Sequence, residues 1–141
     1  MDGIERLLAI EEIKQLKARY FRLMDTKQWD EWADLFTDDL DTWFEDTSNS
    51  THGRDEFVGS VRAILADAVT IHHGHMPEIE VTGPNTARGI WAMFDYVKFG
   101  NPQRPLEMKG YGHYHEQYRK GPDGRWRINS LRLHRLRVDR M

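Results

Sequence analysis

The chain has 141 residues, 39% hydrophobic and 30% charged, with no cysteine and a formal net charge of −3. That length and balance fit one folded domain, residues 1–141, with a substantial core, and exclude a disordered chain. The chain lacks any apolar run of the ~18 residues a spanning helix needs, its slight acidity argues against a nucleic-acid partner, and without cysteine neither disulfide nor thiolate chemistry is available.

A reducing cytoplasm is therefore the expected setting. The start Met1-Asp2-Gly3-Ile4-Glu5-Arg6 is too acidic and helix-like to read as a secretion signal. Five tryptophans, five tyrosines and six phenylalanines can fill a core or line a pocket for a flat apolar ligand.

Residues 4 to about 24 read as a helix, with Ile13, Leu16, Tyr20, Leu23 and Met24 on one side and Gln15, Arg19 and Arg22 opposite. Asp25 falls at the flank of the apolar side, beside Phe21. A short helix from about 28 to 36 follows, burying Trp29, Trp32 and Leu35 or Phe36. Residues 40–45 read as a strand with Leu40, Thr42 and Phe44 on one face and Trp43 on the other, and 46–50 carry turn chemistry. From 54 to about 66 the spacing of Phe57, Val61, Ile64 and Leu65 is helical again.

Next comes Thr70-Ile71-His72-His73-Gly74-His75-Met76-Pro77, which gathers three of the seven histidines. It reads as extended through Val81, up to a turn at 82–85. Three long strands then complete the chain: 86–98, 106–120 and 125–138, joined by a loop at 100–105 and a hairpin turn at 121–124. Helices first and antiparallel strands after predict an α+β fold, a curled antiparallel sheet around three helices with a conical space between. In the last strand Trp126 and Ile128 are apolar on even numbers, but Leu131 and Leu133 on odd ones. That change of parity predicts a β-bulge near Asn129-Ser130 and turns Arg135 inward while Arg132 and His134 face out.

Several side chains could carry chemistry. His72 shares a strand face with Thr70 and Gly74, and an imidazole can take and return a proton at neutral pH. Asp25 could orient that imidazole, or cap the second helix with Gln28 reaching back. Asp95 sits on a strand face with Gly89, Trp91, Met93 and Val97. If that face is inward, lost hydration favours a neutral acid that can donate a proton; if Ile90, Phe94 and Tyr96 form the core face, Asp95 is solvated. Tyr20 is either core or a hydroxyl aimed into a cavity. Zinc on His73, His75, His113 and His115 would need two HxH pairs to meet, and no persuasive acidic ligand follows, so no metal and no cofactor is expected. Neither a glycine-rich phosphate loop nor a GxSxG elbow is present.

Four stretches carry a resemblance: Ile13-Lys14-Gln15-Leu16-Lys17-Ala18-Arg19-Tyr20-Phe21 leading to Asp25, Thr70-Ile71-His72, Ala87-Arg88-Gly89-Ile90-Trp91, and Gly124-Arg125-Trp126-Arg127-Ile128. With them the chain resembles the SnoaL-like branch of the nuclear-transport-factor-2-like superfamily, which includes scytalone dehydratase, bile-acid 7α-dehydratase and the lindane dehydrochlorinase. The resemblance implies a cone-shaped barrel with a deep pocket, an Asp–His pair at Asp25 and His72, and Tyr20, Asp95 and Arg135 beside it, with Arg132 competing for the last position. It also implies a homodimer.

The expected activity is a cofactor-free lyase that removes a proton from a small, apolar, ring-containing substrate and expels a hydroxyl. Trp43, Trp91, Met93, Phe94 and Met108 would line its pocket. The alternatives are an isomerase using the same base, or a binding or subunit module in which Asp25 caps a helix and points away from His72.

Overall fold

The structure is a computed structural model that describes residues 1–101, 103 and 105–141. The expected loop at 100–105 lies in part outside the described residues, at Pro102 and Arg104. The first helix, α1 (Gly3–Asp25), opens on Asp2, whose side chain accepts from the Glu5 N–H at 2.8 Å and caps the first turn. It stops where Lys27 takes a left-handed φ of 61°. After it come α2 (Trp29–Ala33), β1 (Phe36–Phe44), a 3-10 turn (Glu45–Thr47), β2 (Asn49–His52) and α3 (Arg54–Leu65). Four long strands complete the chain: β3 (Val69–Gly83), β4 (Thr86–Phe99), β5 (Leu106–Lys120) and β6 (Trp126–Arg140).

The α+β class and the three helices are those expected, but the sheet is not all antiparallel. Its six strands run in the order β2-β1-β6-β5-β4-β3, and β1 pairs with β6 in parallel. The sheet is mixed, and it stays open at β2 and β3 rather than closing. Local pattern cannot reveal that pairing, because β1 meets a strand more than eighty residues away. The segment read as a turn also contains a strand: Ser48 reverses the chain in a left-handed conformation, and β2 returns along β1 with Thr51 opposite Thr42. The two threonine hydroxyls share a hydrogen bond.

Inward-facing residues of α1, α2, β1 and the long strands meet in one core, in which Ile13, Leu16, Trp32, Phe36, Leu40, Ile128 and Leu131 are almost wholly buried. The parity change in the last strand is a bulge: Gln117 opposes Ser130 and Tyr118 opposes Ile128, leaving Asn129 as the extra residue. Beyond it Leu131 and Leu133 are buried, and Arg135 follows them inward. A second bulge at Leu136 lies between the pairs Gly112–Arg135 and Tyr111–Arg137. The sequence gives no sign of it, since the side chains beyond Arg135 have no buried face to keep in phase.

Candidate active site

Asp25, the last residue of α1, does not cap α2. The N-cap of α2 is Gln28, which makes no side-chain capping bond. The Asp25 carboxylate instead reaches β3 and accepts three hydrogen bonds there. The Thr70 hydroxyl donates to Oδ1 at 2.9 Å, the His72 backbone N–H donates to Oδ2 at 2.7 Å, and His72 Nδ1 lies 2.7 Å from Oδ1. Lys27 Nζ completes the chain by donating to the Thr70 hydroxyl at 3.0 Å. The His72 ring stacks on Phe21 with 15° between planes. Gly74 makes room for that phenylalanine, since a Cβ there would come within 2.6 Å of its ring.

His72 Nε2 points inward, 3.7 Å from Asp95 Oδ2. The register places the two residues opposite each other on β3 and β4, with Asp95 on the buried face. Asp95 is not the isolated acid that burial alone suggests, because Arg135 donates to it twice, at 2.8 Å from each terminal nitrogen. Both oxygens of Asp95 thus accept from Arg135, on the inward face of β4. Arg135 Nε also donates to Asp46 of the 3-10 turn at 2.9 Å. Burial works against the charge of Arg135, yet its bonds to Asp95 and the nearby Asp46 hold its pKa above the usual value. Arg132, the competing candidate, lies on the outer side beside Asp41. At Gly110 any Cβ would collide with Arg135 Nη1 and Asp95 Oδ1, so only glycine admits this pair.

Below these residues Tyr20 and Tyr114 meet with their rings edge to face, centroids 5.9 Å apart. Burial first, then the neighbouring Tyr114 and Glu116, push the Tyr20 hydroxyl well above its usual pKa. A network that the sequence reading missed lies against them. The Lys17 ammonium, wholly buried, sits 2.5 Å from Glu116 Oε2 and 3.7 Å from the ring centres of both tyrosines. Tyr118 donates to Glu116 Oε1 at 2.7 Å, and Trp91 Nε1 donates to the Tyr118 hydroxyl at 2.9 Å. Both charges fall on the apolar side of their elements, Lys17 one residue from Leu16 on α1 and Glu116 between Tyr114 and Tyr118 on β5. That placement was the available signal.

A cavity of about 490 Å³ opens between α3, the 3-10 turn and β2. Phe44, Phe57, Val61, Ile64 and Leu65 form its apolar wall, and Arg135 stands in its lining. None of the residues expected to line the pocket stands in the wall of this cavity. Trp43 and Phe94 lie on the outer face of the sheet, Phe94 among His73 and Tyr111. Trp91 and Met93 are core, and Met108 is half-buried beside Val97 near the start of β5. The α3 stripe instead lines open space: Ile64 is 56% exposed. His73 and His75 face outward, and among the described residues no three His, Asp or Glu side chains group as a metal site.

Comparison with known proteins bears on this arrangement. Over 134 residues the chain is 28% identical to "Probable cyclase FGR4" of Gibberella zeae, covering 88% of this chain and 89% of that one. A crystal structure named "Putative Scytalone Dehydratase", from Novosphingobium aromaticivorans, superposes with a TM-score of 0.85 at 21% identity, covering 94% of this chain and 87% of the other. The hexachlorocyclohexane dehydrochlorinase LinA type 2 superposes with a TM-score of 0.86 at 18% identity, covering 99% and 93%. At those identities the two structures establish the shared fold. Residues 5–132 match the model of the SnoaL-like domain, and the chain belongs to that family.

Proposed function

We propose that the protein is a lyase in which His72, oriented by Asp25, removes a proton from carbon beside a carbonyl group. The observation that carries this reading is the set of three hydrogen bonds from β3 onto one carboxylate. With Nδ1–H donating to Asp25, the lone pair of His72 sits on Nε2, which points into the protein, and the carboxylate stabilises the imidazolium that forms. A helix-capping Asp25 would have favoured a plain binding module; here the carboxylate is spent on His72.

The substrate's apolar body rests on the α3 wall and its oxygen meets Arg135, where two of five N–H donors remain uncommitted. The electrons of the broken C–H bond form a C=C bond as the hydroxyl on the next carbon departs. That hydroxyl takes the proton back from His72 Nε2 and leaves as water, so the net change is loss of one water. The similarity to a protein named as a cyclase supports a second reading, in which the carbanion formed by proton removal attacks a second carbonyl carbon and closes a ring, while that carbonyl oxygen takes the proton back from His72 Nε2.

The test is a panel of ring-bearing β-hydroxy ketones, followed by the absorbance of the enone formed and by product NMR, which separates elimination from ring closure. General-base catalysis contributes ~10²–10⁴-fold, so His72→Ala is expected to lose at least that on any substrate turned over. A His72→Ala rate equal to the wild type would overturn the mechanism.

A further inference from the structure

Lys17 and Glu116 take no part in the chemistry above, yet both are removed from solvent. A buried ion pair is a poor source of stability, because apolar residues of the same volume often serve as well or better. Its geometry suggests another purpose. An ammonium has three N–H donors; one is directed to Glu116, and the phenol rings of Tyr20 and Tyr114 face the others at equal distances of 3.7 Å. Glu116 is held in turn by Tyr118, and Tyr118 by Trp91, so the cation cannot shift without breaking a chain of bonds. The two hydroxyls meet beneath the site, Tyr20 donating to Tyr114, so that Tyr20 feels the charge of Asp25 and Tyr114 those of Asp95 and Arg135.

We propose that Lys17 is a positioning residue, whose ammonium clamps the rings of Tyr20 and Tyr114 and so fixes the floor beneath Asp25, His72 and Asp95. Cation–π attraction is strongest where both partners are removed from water, as they are here, and it favours one orientation of each ring. The purpose assigned to the clamp rests on the proton-transfer reading. Its test needs no substrate, so either can fail without the other.

The titratable groups facing Lys17 are Glu116 and Tyr114 on β5 and Tyr20 on its own helix, with Tyr118 reaching it through Glu116. Burial lowers the Lys17 pKa to about 8, while burial holds both phenols neutral through that range. NMR of protein labelled at the tyrosine rings, taken from pH ~6.5 to ~9.5, brackets that point and leaves surface lysines charged over most of it. The Tyr20 and Tyr114 signals are expected to move together with a midpoint at about 8. The double variant Lys17→Met/Glu116→Gln is expected to melt cooperatively but to lack the transition and to show averaged ring signals. Averaged signals for the two edges of each ring in the wild type below pH 8, where the ammonium is charged, or ring signals unchanged in the double variant, would overturn the proposal. Should the double variant not fold, the wild-type ring-edge signals decide alone.

Discussion

Arg135 joins the wall of the cavity to the buried acids, and its place depends on a residue with no side chain. A methyl group on Gly110 would occupy the space of Arg135 Nη1 and Asp95 Oδ1. Gly110→Ala is therefore expected to part the pair and leave Asp95 buried without its partner. Breaking a buried pair costs ~3–5 kcal/mol, an upper bound here because Arg135 keeps a path to solvent through the cavity. Urea denaturation reads the loss, and a variant as stable as the wild type would mean that the pair moves aside freely. At this scale the sequence was informative where a polar residue broke an apolar pattern. Asp25, His72, Asp95 and Arg135 could each be named, and each touches the next in that order. It was uninformative about lining, because a tryptophan or phenylalanine on a strand has the same pattern on either face, and Trp43 and Phe94 face outward.

The elements divide in the same way. α1, α3 and the long strands follow from periodicity, and the single extra residue at Asn129 follows from a change of parity between Ile128 and Leu131. Pairing partners do not, since the parallel contact of β1 with β6 depends on chain ends brought together only by folding. Deleting Asn129 would remove the extra residue and the change of parity together, so that Trp126, Ile128, Leu131 and Leu133 alternate on one inward face and the pairing with β5 becomes regular. The expected outcome is a soluble variant that melts cooperatively and keeps its near-UV circular dichroism signal. Loss of cooperative folding would show that the bend made by the bulge, and not the facing of these residues alone, is required. α3 carries the opposite lesson. Its apolar stripe looks like core in the sequence, yet it is only partly covered, and the exposed remainder is the cavity wall.

For the whole molecule, the buried lysine sets a pH dependence of opposite sign to that of an ordinary ion pair. Burial, outweighing Glu116, lowers the Lys17 pKa from 10.5 to about 8, so the folded protein holds that proton less tightly than the unfolded chain. The penalty is complete below pH 8 and fades as pH rises toward 10.5. It amounts to about 3 kcal/mol at most. Wild-type stability is expected to rise across that window relative to Lys17→Met/Glu116→Gln, measured by denaturation at several pH values; a falling or flat difference would remove the assignment. A last consequence follows from where the arginine stands. Arg135 stands in the cavity lining, and the imidazole of His72 lies beyond it, on the far side of Asp95. Occupancy and reaction are therefore separate events with separate requirements: a greasy molecule that fits the α3 wall can lodge there without ever meeting the base. A screen that scores binding alone will collect such lodgers, whereas a screen that scores turnover selects compounds that also reach past Arg135 to His72.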